Sequence, residues 1–358
     1  MVKNKRNTDA NSLLILVLDV SPLAWGERDI QRTAQDKSRV ALGKRSVGPA
    51  VLEEALEATE AFASAFCSIE HDAGLVLIAV ADNETAVVYP RSNDISEWML
   101  HPETYLPDIR KMKEHLTVGV HELLLRAASK AQYLSDASSR QAAMAAAFSN
   151  ALCIINRFLV AARVGGVSAL RNETHLNRND DQGVIALMDG KAKSKPASKK
   201  LSGWSPRIFL IQASDDRSRD YNAFMNCAFA AVKQSIVVDG CFLSAKGNHS
   251  SSAFLEQACD LTGGVFLSPS GTAQVGGALT EVLHSVFLAD VPSRCLLNLP
   301  AINKVDFRAR CFETAELVDL AYVCNQCLSI FRKQPKNYCP TCQAKIVVDS
   351  KRVGTTEI

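Results

Sequence analysis

The sequence predicts an α/β protein: a doubly wound, mostly parallel six-stranded sheet followed by a small C-terminal module built on four cysteines. Three observations carry this. Short apolar runs alternate with longer segments of helical periodicity through most of the chain. Several of those runs are nearly continuous in Leu, Ile and Val rather than alternating, as expected of parallel strands covered on both faces. Near the C-terminus two Cys-x-x-Cys pairs stand eleven residues apart, a spacing that suits one shared metal ion.

The elements follow in order. Leu13 to Val20 is broken only by Asp19 and reads as a central strand. Gly48 and Pro49 then open an amphipathic helix over 51–69, with apolar residues at 52, 55, 56, 62, 63 and 66. LVLIAVAD (75–82) is a second buried strand, and Asp82-Asn83-Glu84 turns it into TAVVYP (85–90), an antiparallel edge strand closed by Pro90. Residues 91–115, with Pro102 and Pro107, read as irregular, and 118–164 as two helices meeting near Ser135.

Composition then shifts. Residues 165–206 are rich in Gly, Ser, Lys and Asn, include KAKSKPASKK (191–200), and are expected to form a mobile basic insertion. The α/β rhythm resumes with strands at 207–214, 235–243 and 264–268 and helices at 218–233, 251–261 and 272–288. One sheet domain is therefore expected over 11–290, a connecting segment over 291–320, the cysteine module over 321–349 and a polar tail beyond. The Gly-Gly pairs at 165, 263 and 276 read as turns and helix starts.

The chain has 358 residues, 47% hydrophobic and 22% charged, ample for a real core. With 40 basic and 38 acidic residues its net charge of +2 gives no global field toward nucleic acid or an acidic membrane. The apolar run at 13–18 is shorter than the about 7–15 residues of a signal core, and no stretch approaches the about 20 of a membrane span. A soluble intracellular protein is expected. Of eleven cysteines, Cys67, Cys153, Cys227, Cys241 and Cys259 lie singly among apolar neighbours, while four crowd together near the end, which is the cysteine usage of a reducing compartment.

Cys324, Cys327, Cys339 and Cys342 are the predicted ligands of one structural zinc ion. Each CxxC loop places two thiolates on one edge of a tetrahedron, and Pro340 stiffens the second loop. Tyr322, Leu328, Ile330 and Phe331 form an apolar pad too small to fold without the metal. The alternatives are a redox CxxC pair, less suited to two motifs this close, and an iron–sulfur centre, whose spacing is usually longer and asymmetric. Four thiolates leave no open position for catalysis, and a two-metal RING needs about twice these ligands. Cys295 and Cys311 lie upstream with no histidine nearby to build a second site.

No nucleotide-binding G-x-G-x-x-G follows the first strand, no P-loop occurs, and the seven histidines form no HExxH. Asp19 and Ser21 do lie at the C-terminal end of the first strand, where open α/β sheets bind ligands. LLILVLDVSP resembles the opening of a von Willebrand factor A-type (vWA) domain, a Rossmann-like fold in which D-x-S-x-S begins a metal-ion-dependent adhesion site. Here Leu23 stands in the third position, and Ile211, Gln212 and Ala213 stand where a Thr or Asp should flank the metal. Two oxygen ligands against the about six a hard cation needs make a vestigial site the expectation, with a working magnesium site as the alternative.

A vWA sheet followed by a four-cysteine module resembles the smaller vWA-type core subunit family of the transcription and DNA-repair factor TFIIH. LLILVLDVSPLAWG (13–26), NAFMNCAFAAVKQSI (222–236), LEQACDLTGGVFL (255–267), VDFRARCF (305–312) and AYVCNQCLSIF (321–331) carry the resemblance over nearly the whole chain. The long basic insertion and RKQPKNY between the cysteine pairs depart from it. The resemblance implies a nuclear, non-catalytic subunit that holds the zinc domain of the larger vWA subunit, in transcription initiation by RNA polymerase II and nucleotide excision repair. No small-molecule substrate and no membrane are expected, and direct DNA contact is not the expected mode of action. The rivals are a ubiquitin/proteasome-type vWA protein, which needs a ubiquitin-binding helix where the cysteines stand, and a magnesium-dependent adhesion-type binder. Arg332, Lys333, Lys336 and Lys345 leave DNA binding by the cysteine module as a further possibility, and 191–200 reads either as a solvated loop or as a nuclear localisation signal.

Overall fold

The computed structural model describes residues 11–40, 49–69, 73–91, 107–131, 141–164, 204–243, 252–269, 277–299, 308–314 and 317–346. At its centre β1 (Asn11–Asp19) pairs in parallel with β2 (Gly74–Ala81) and with β4 (Trp204–Gln212). β5 (Val237–Phe242) and the two-residue β6 (Phe266–Leu267) continue the parallel sheet beyond β4. β3 (Glu84–Tyr89) turns back antiparallel on β2. The order β3-β2-β1-β4-β5-β6 reverses direction between β1 and β4, so the C-terminal ends of these two strands flank the point where such sheets hold ligands.

Why β1 lies centrally is plain from its burial: every residue from Leu13 to Asp19 is buried, successive side chains facing opposite layers. Leu13, Ile15 and Val17 pack on α4 (Met144–Val164), α5 (Tyr221–Lys233) and α6 (Ala253–Thr262). Leu14, Leu16 and Leu18 face α2 (Leu52–Ile69), α3 (Ile109–Ala131) and α7 (Gly277–Phe287). Aromatic pairs knit the second layer, Phe209 standing between Phe62 at 5.2 Å and Phe287 at 4.5 Å. The expected turn at Gly263 is a left-handed cap (φ 72°) that closes α6, with the Gly264 amide bonded back to the Cys259 carbonyl.

The structure departs from the sequence expectation in three places. A helix, α1 (Pro22–Val40), follows β1 where no element was expected. Its buried contacts include Trp25 and Arg28, one turn apart, and an arginine on the inner face hides a helix from any apolar pattern. Secondly, α3 begins at Ile109, inside the stretch expected to be irregular. Asp108 accepts the amides of Arg110 and Lys111, and Met112, Leu116, Val120, Leu123 and Ala127 form one buried stripe. Thirdly, β4 takes the last three residues of the expected insertion, because Trp204 is buried edge-on against Phe158, ring centroids 4.8 Å apart. The rest of that insertion, 191–200 included, and the junction near Ser135 lie outside the described residues.

A short helix, α8 (Val291–Arg294), leaves the sheet domain and is held by charge. Arg294 grips the fully buried Asp239 of β5 with two bonds of 2.7 and 2.6 Å. Asp239 also accepts the Val265 amide, and Arg207 ties in through the carbonyls of Phe287 and Ala289. The chain then reaches the C-terminal module through the hairpin β7 (Ala309–Arg310) and β8 (Leu317–Val318), followed by β9 (Tyr322–Val323) and β10 (Ile330–Phe331). No helix among the described residues is long and apolar enough to cross a membrane.

Candidate metal centre

The two Cys-x-x-Cys segments fold into matching turns. In the first, the Leu328 amide bonds to the Cys324 carbonyl and Cys324 N–H to Ser329 O; in the second, Gln343 N–H bonds to Cys339 O and Cys339 N–H to Ala344 O. Leu328 (φ 59°) and Gln343 (φ 60°), each just after its second cysteine, share the left-handed conformation that folds the loop back under its sulfurs. The pseudo-symmetry brings all four Sγ atoms within 4.8 Å of one another.

The sulfur spacings fit a tetrahedral ion. Cys324 Sγ lies 3.8 Å from Cys342 Sγ, and Cys327 Sγ lies 3.6 Å from Cys339 Sγ. Bonds of about 2.3 Å from zinc to sulfur put the edge of a tetrahedron at about 3.8 Å. Backbone amides of Cys327 and Gln326 hold the Cys324 thiol down at about 6, ready to ionise. The Ala344 amide pulls Cys342 the same way, but desolvation and the three neighbouring sulfurs push it up to about 12. Four thiols this close cannot all ionise alone; a divalent cation at their centre removes the conflict. Phe331, Cys324 and Cys339 form the small buried core, flanked by Phe312 and Ile346.

The module begins upstream of its four cysteines and is seated on the sheet domain. Phe312 N–H bonds to Ile330 O, and Arg332 N–H points at the buried Cys311 sulfur, so the β7–β8 hairpin is stitched to β10. Cys311 is thus used as a hydrogen-bond acceptor inside the module, and Cys295 is exposed on the connecting segment. At the first turn of α5, Asn222 donates its side-chain amide to the Cys327 carbonyl at 3.0 Å, and Tyr221 meets Phe312 edge-on. Sequence reasoning missed this seat, although NAFMNCAF and CNQCLSIF were both singled out; nothing in either segment names its partner.

The remaining cysteines divide by position. Burial pushes the Cys241 thiol up to about 12 and Cys67 to about 11, and Cys259 is raised as well. Cys153, expected in the core, is exposed on the outer face of α4.

The sheet end carries the other predicted position. Asp19 and Ser21 are both fully buried at the C-terminal end of β1. The Asp19 carboxylate accepts the amides of Ser21 (2.9 Å), Ala213 (3.0 Å) and Ser214 (2.7 Å), and also the Ser214 hydroxyl. The Ser21 hydroxyl accepts the Asp82 amide, and Leu23 turns outward. Trp25 donates to the Asp19 carbonyl, and Arg28, stacked 5.1 Å from that ring, donates to the carbonyls of Ala50 and Leu243. Burial lowers the Arg28 guanidinium to about 10, partly offset by the negative charge of Asp19. Just beyond the end of β4, Asp216 accepts from Gln212, Ser252 and the Phe254 amide. Ser214, Asp216 and Ser252 were not predicted; Ser214-Asp215-Asp216 just after a buried strand was the available signal.

A doubly wound vWA-type sheet whose ligand end is closed by its own hydrogen bonds, carrying a four-cysteine module on one helix, defines a class: an α/β scaffold with an appendage whose clustered cysteines could hold a metal ion. The family model described as transcription factor Tfb4 matches residues 11–343, and the chain belongs to that family, whose members are subunits of the general transcription and DNA repair factor IIH. It is 27% identical over 353 residues to the tfb4 subunit of that factor from Schizosaccharomyces pombe, covering 97% of this chain and 93% of the relative. Over 140 residues it is 44% identical to general transcription factor IIH subunit 3 of Dictyostelium discoideum, covering 39% of this chain and 35% of that one. Among solved structures, the TFIIH p34 N-terminal domain aligns at 21% identity with a TM-score of 0.48, covering 77% of this chain and 97% of that one.

Proposed function

We propose that the chain is a non-catalytic structural subunit of the TFIIH core, acting through protein–protein contacts in transcription initiation and nucleotide excision repair. The observation that carries this is the state of the sheet's ligand end. The acid that would serve a ligand, Asp19, is consumed by four internal donors. The chemistry left exposed is that of surfaces. In this reading Cys324, Cys327, Cys339 and Cys342 hold one structural zinc ion, which locks the module together and supplies no reaction step. The larger vWA subunit of TFIIH is the partner in this reading, and the nucleus is the site of action; the names of the relatives, transcription and repair factor subunits, support association with other subunits of that factor and action on nuclear DNA. The adhesion-type alternative is disfavoured by the same occupancy of Asp19, and the ubiquitin type by a cysteine module standing where a ubiquitin-binding helix is needed.

Co-expression tests the reading. The tagged full chain and the larger vWA subunit should elute as one complex of equal stoichiometry on size exclusion, with about one zinc per copy of this chain. Elution of this chain as a free monomer overturns the partner assignment, and metal-free protein overturns the zinc assignment.

A further inference from the structure

The sheet has two edges of different character. β6 is only two residues long, whereas β3 runs for six, roughly 20 Å of chain at about 3.4 Å per residue. One side of β3 pairs with β2; among the described residues no strand pairs the other. Such an edge offers a row of main-chain donors and acceptors to an incoming strand. Natural edges are commonly blunted by proline or a bulge; in β3 both stand at the C-terminal end, where Val88 is the extra residue opposite Leu77 and Ile78 and Pro90 follows, and Glu84 to Val87 keep a regular register free of proline.

A groove of about 490 Å³ opens along this edge, floored by Thr85, Ala86, Val87 and Val88. Its wall is α3, which comes down close because Gly119 faces Val88: a Cβ there would sit 2.9 Å from Val88 Cγ1. Arg91 and Arg126 line it against the single acid Glu122. Arg91 reaches Glu122 only at 3.7 Å, both side chains largely exposed, and Arg126 forms no ion pair among the described residues. A surplus guanidinium beside an open strand edge matches a chain that brings both main-chain pairing and a carboxylate.

We propose that the β3 edge is a docking site for an extended acidic segment of another TFIIH subunit, five or six residues of which add as a strand while an Asp or Glu pairs with Arg126. This interaction is separate from the zinc module and from the closed end of the sheet.

The test is site-specific crosslinking in the assembled TFIIH core. With p-benzoylphenylalanine replacing Glu122 on the groove wall, irradiation should give an adduct to one segment of another subunit carrying two or more Asp or Glu residues. Adding Arg126→Glu should lower its yield roughly threefold or more, while Arg126→Lys should largely keep it. Both variants should melt as the parent does and still co-purify with the complex, so a lost adduct is not mistaken for lost assembly. An adduct confined to residues 92–106 of the same chain, one to DNA, no adduct at all, or a yield indifferent to Arg126→Glu overturns the proposal.

Discussion

Asp19 and the four cysteines are both positions where a sequence reader looks for a metal, and the structure treats them in opposite ways. At the sheet end, an acid meets protein donors: three backbone amides and a hydroxyl satisfy its two oxygens. In the module, four sulfurs meet chiefly one another, at spacings set for an ion of tetrahedral preference. The lesson concerns what each site lacks. A cation at Asp19 must displace hydrogen bonds already made, whereas a cation among the cysteines relieves a clash of like charges. Residue type suggests a ligand; the neighbours decide whether it is available.

The largest effect should come from the cysteines. Cys324→Ser is expected to abolish the bound zinc, about one ion per chain falling to near zero by atomic absorption. The module should then lose its order, since about 10–16 kcal/mol of metal binding is what folds so small a unit. Circular dichroism and the cooperative unfolding of the sheet domain should be nearly unchanged, because that domain's cores contain none of the four ligands. A variant with undiminished zinc would falsify the ligand assignment.

Next in size is the opposite site. Asp19→Ala strands three buried amides and removes the anion that supports the buried Arg28. Breaking a buried network of this kind costs about 3–5 kcal/mol, to be read as a lower midpoint of urea unfolding. If Asp19→Ala proves as stable as the parent, Asp19 is not the closed structural acid described above, and the comparison between the sites fails.

A smaller effect tests the joint between the two regions. Asn222→Ala removes one hydrogen bond, that to the Cys327 carbonyl, worth about 1 kcal/mol. It should speed amide exchange at the first turn of α5 and in the first cysteine loop while zinc stays bound. Exchange rates unmoved at both places mean that the module is held by Tyr221 and Phe312 rather than by this bond.

How much of this was legible beforehand follows from the same physics. The central strands were readable because a strand buried on both faces has to be apolar throughout, as Leu13–Leu18 and Leu75–Ala81 are. The cysteine cluster was readable because a CxxC loop makes its geometry locally. Helix α1 was not, since its buried face carries Arg28, whose partners Ala50 and Leu243 come from far along the chain. The seat of the module on Asn222 was hidden for the same reason: 105 residues separate donor and acceptor. The occupancy of Asp19 lay between these cases. Two of the expected oxygen ligands were visibly missing, but the donors replacing the metal are backbone amides, which every sequence has and none displays.

The smallest expected effect is a null one, and it bears most directly on the difference between the two sites. Adding millimolar magnesium, or removing it with EDTA after the zinc content has been fixed by a matched zinc buffer, should leave the unfolding midpoint of the sheet domain unmoved. For a cation to bind at Asp19 it would have to break the bonds from Ala213, Ser214 and Ser21, and only Ser21 offers a further oxygen among the positions expected to ligate. A ligand that binds the folded chain alone raises its stability by RT ln(1 + [L]/Kd), so at a hundredfold excess over Kd the gain would be about 2.7 kcal/mol. A shift of that size, lost in Asp19→Asn, would show that the hydrogen bonds give way to metal and that the sheet end is a working site after all.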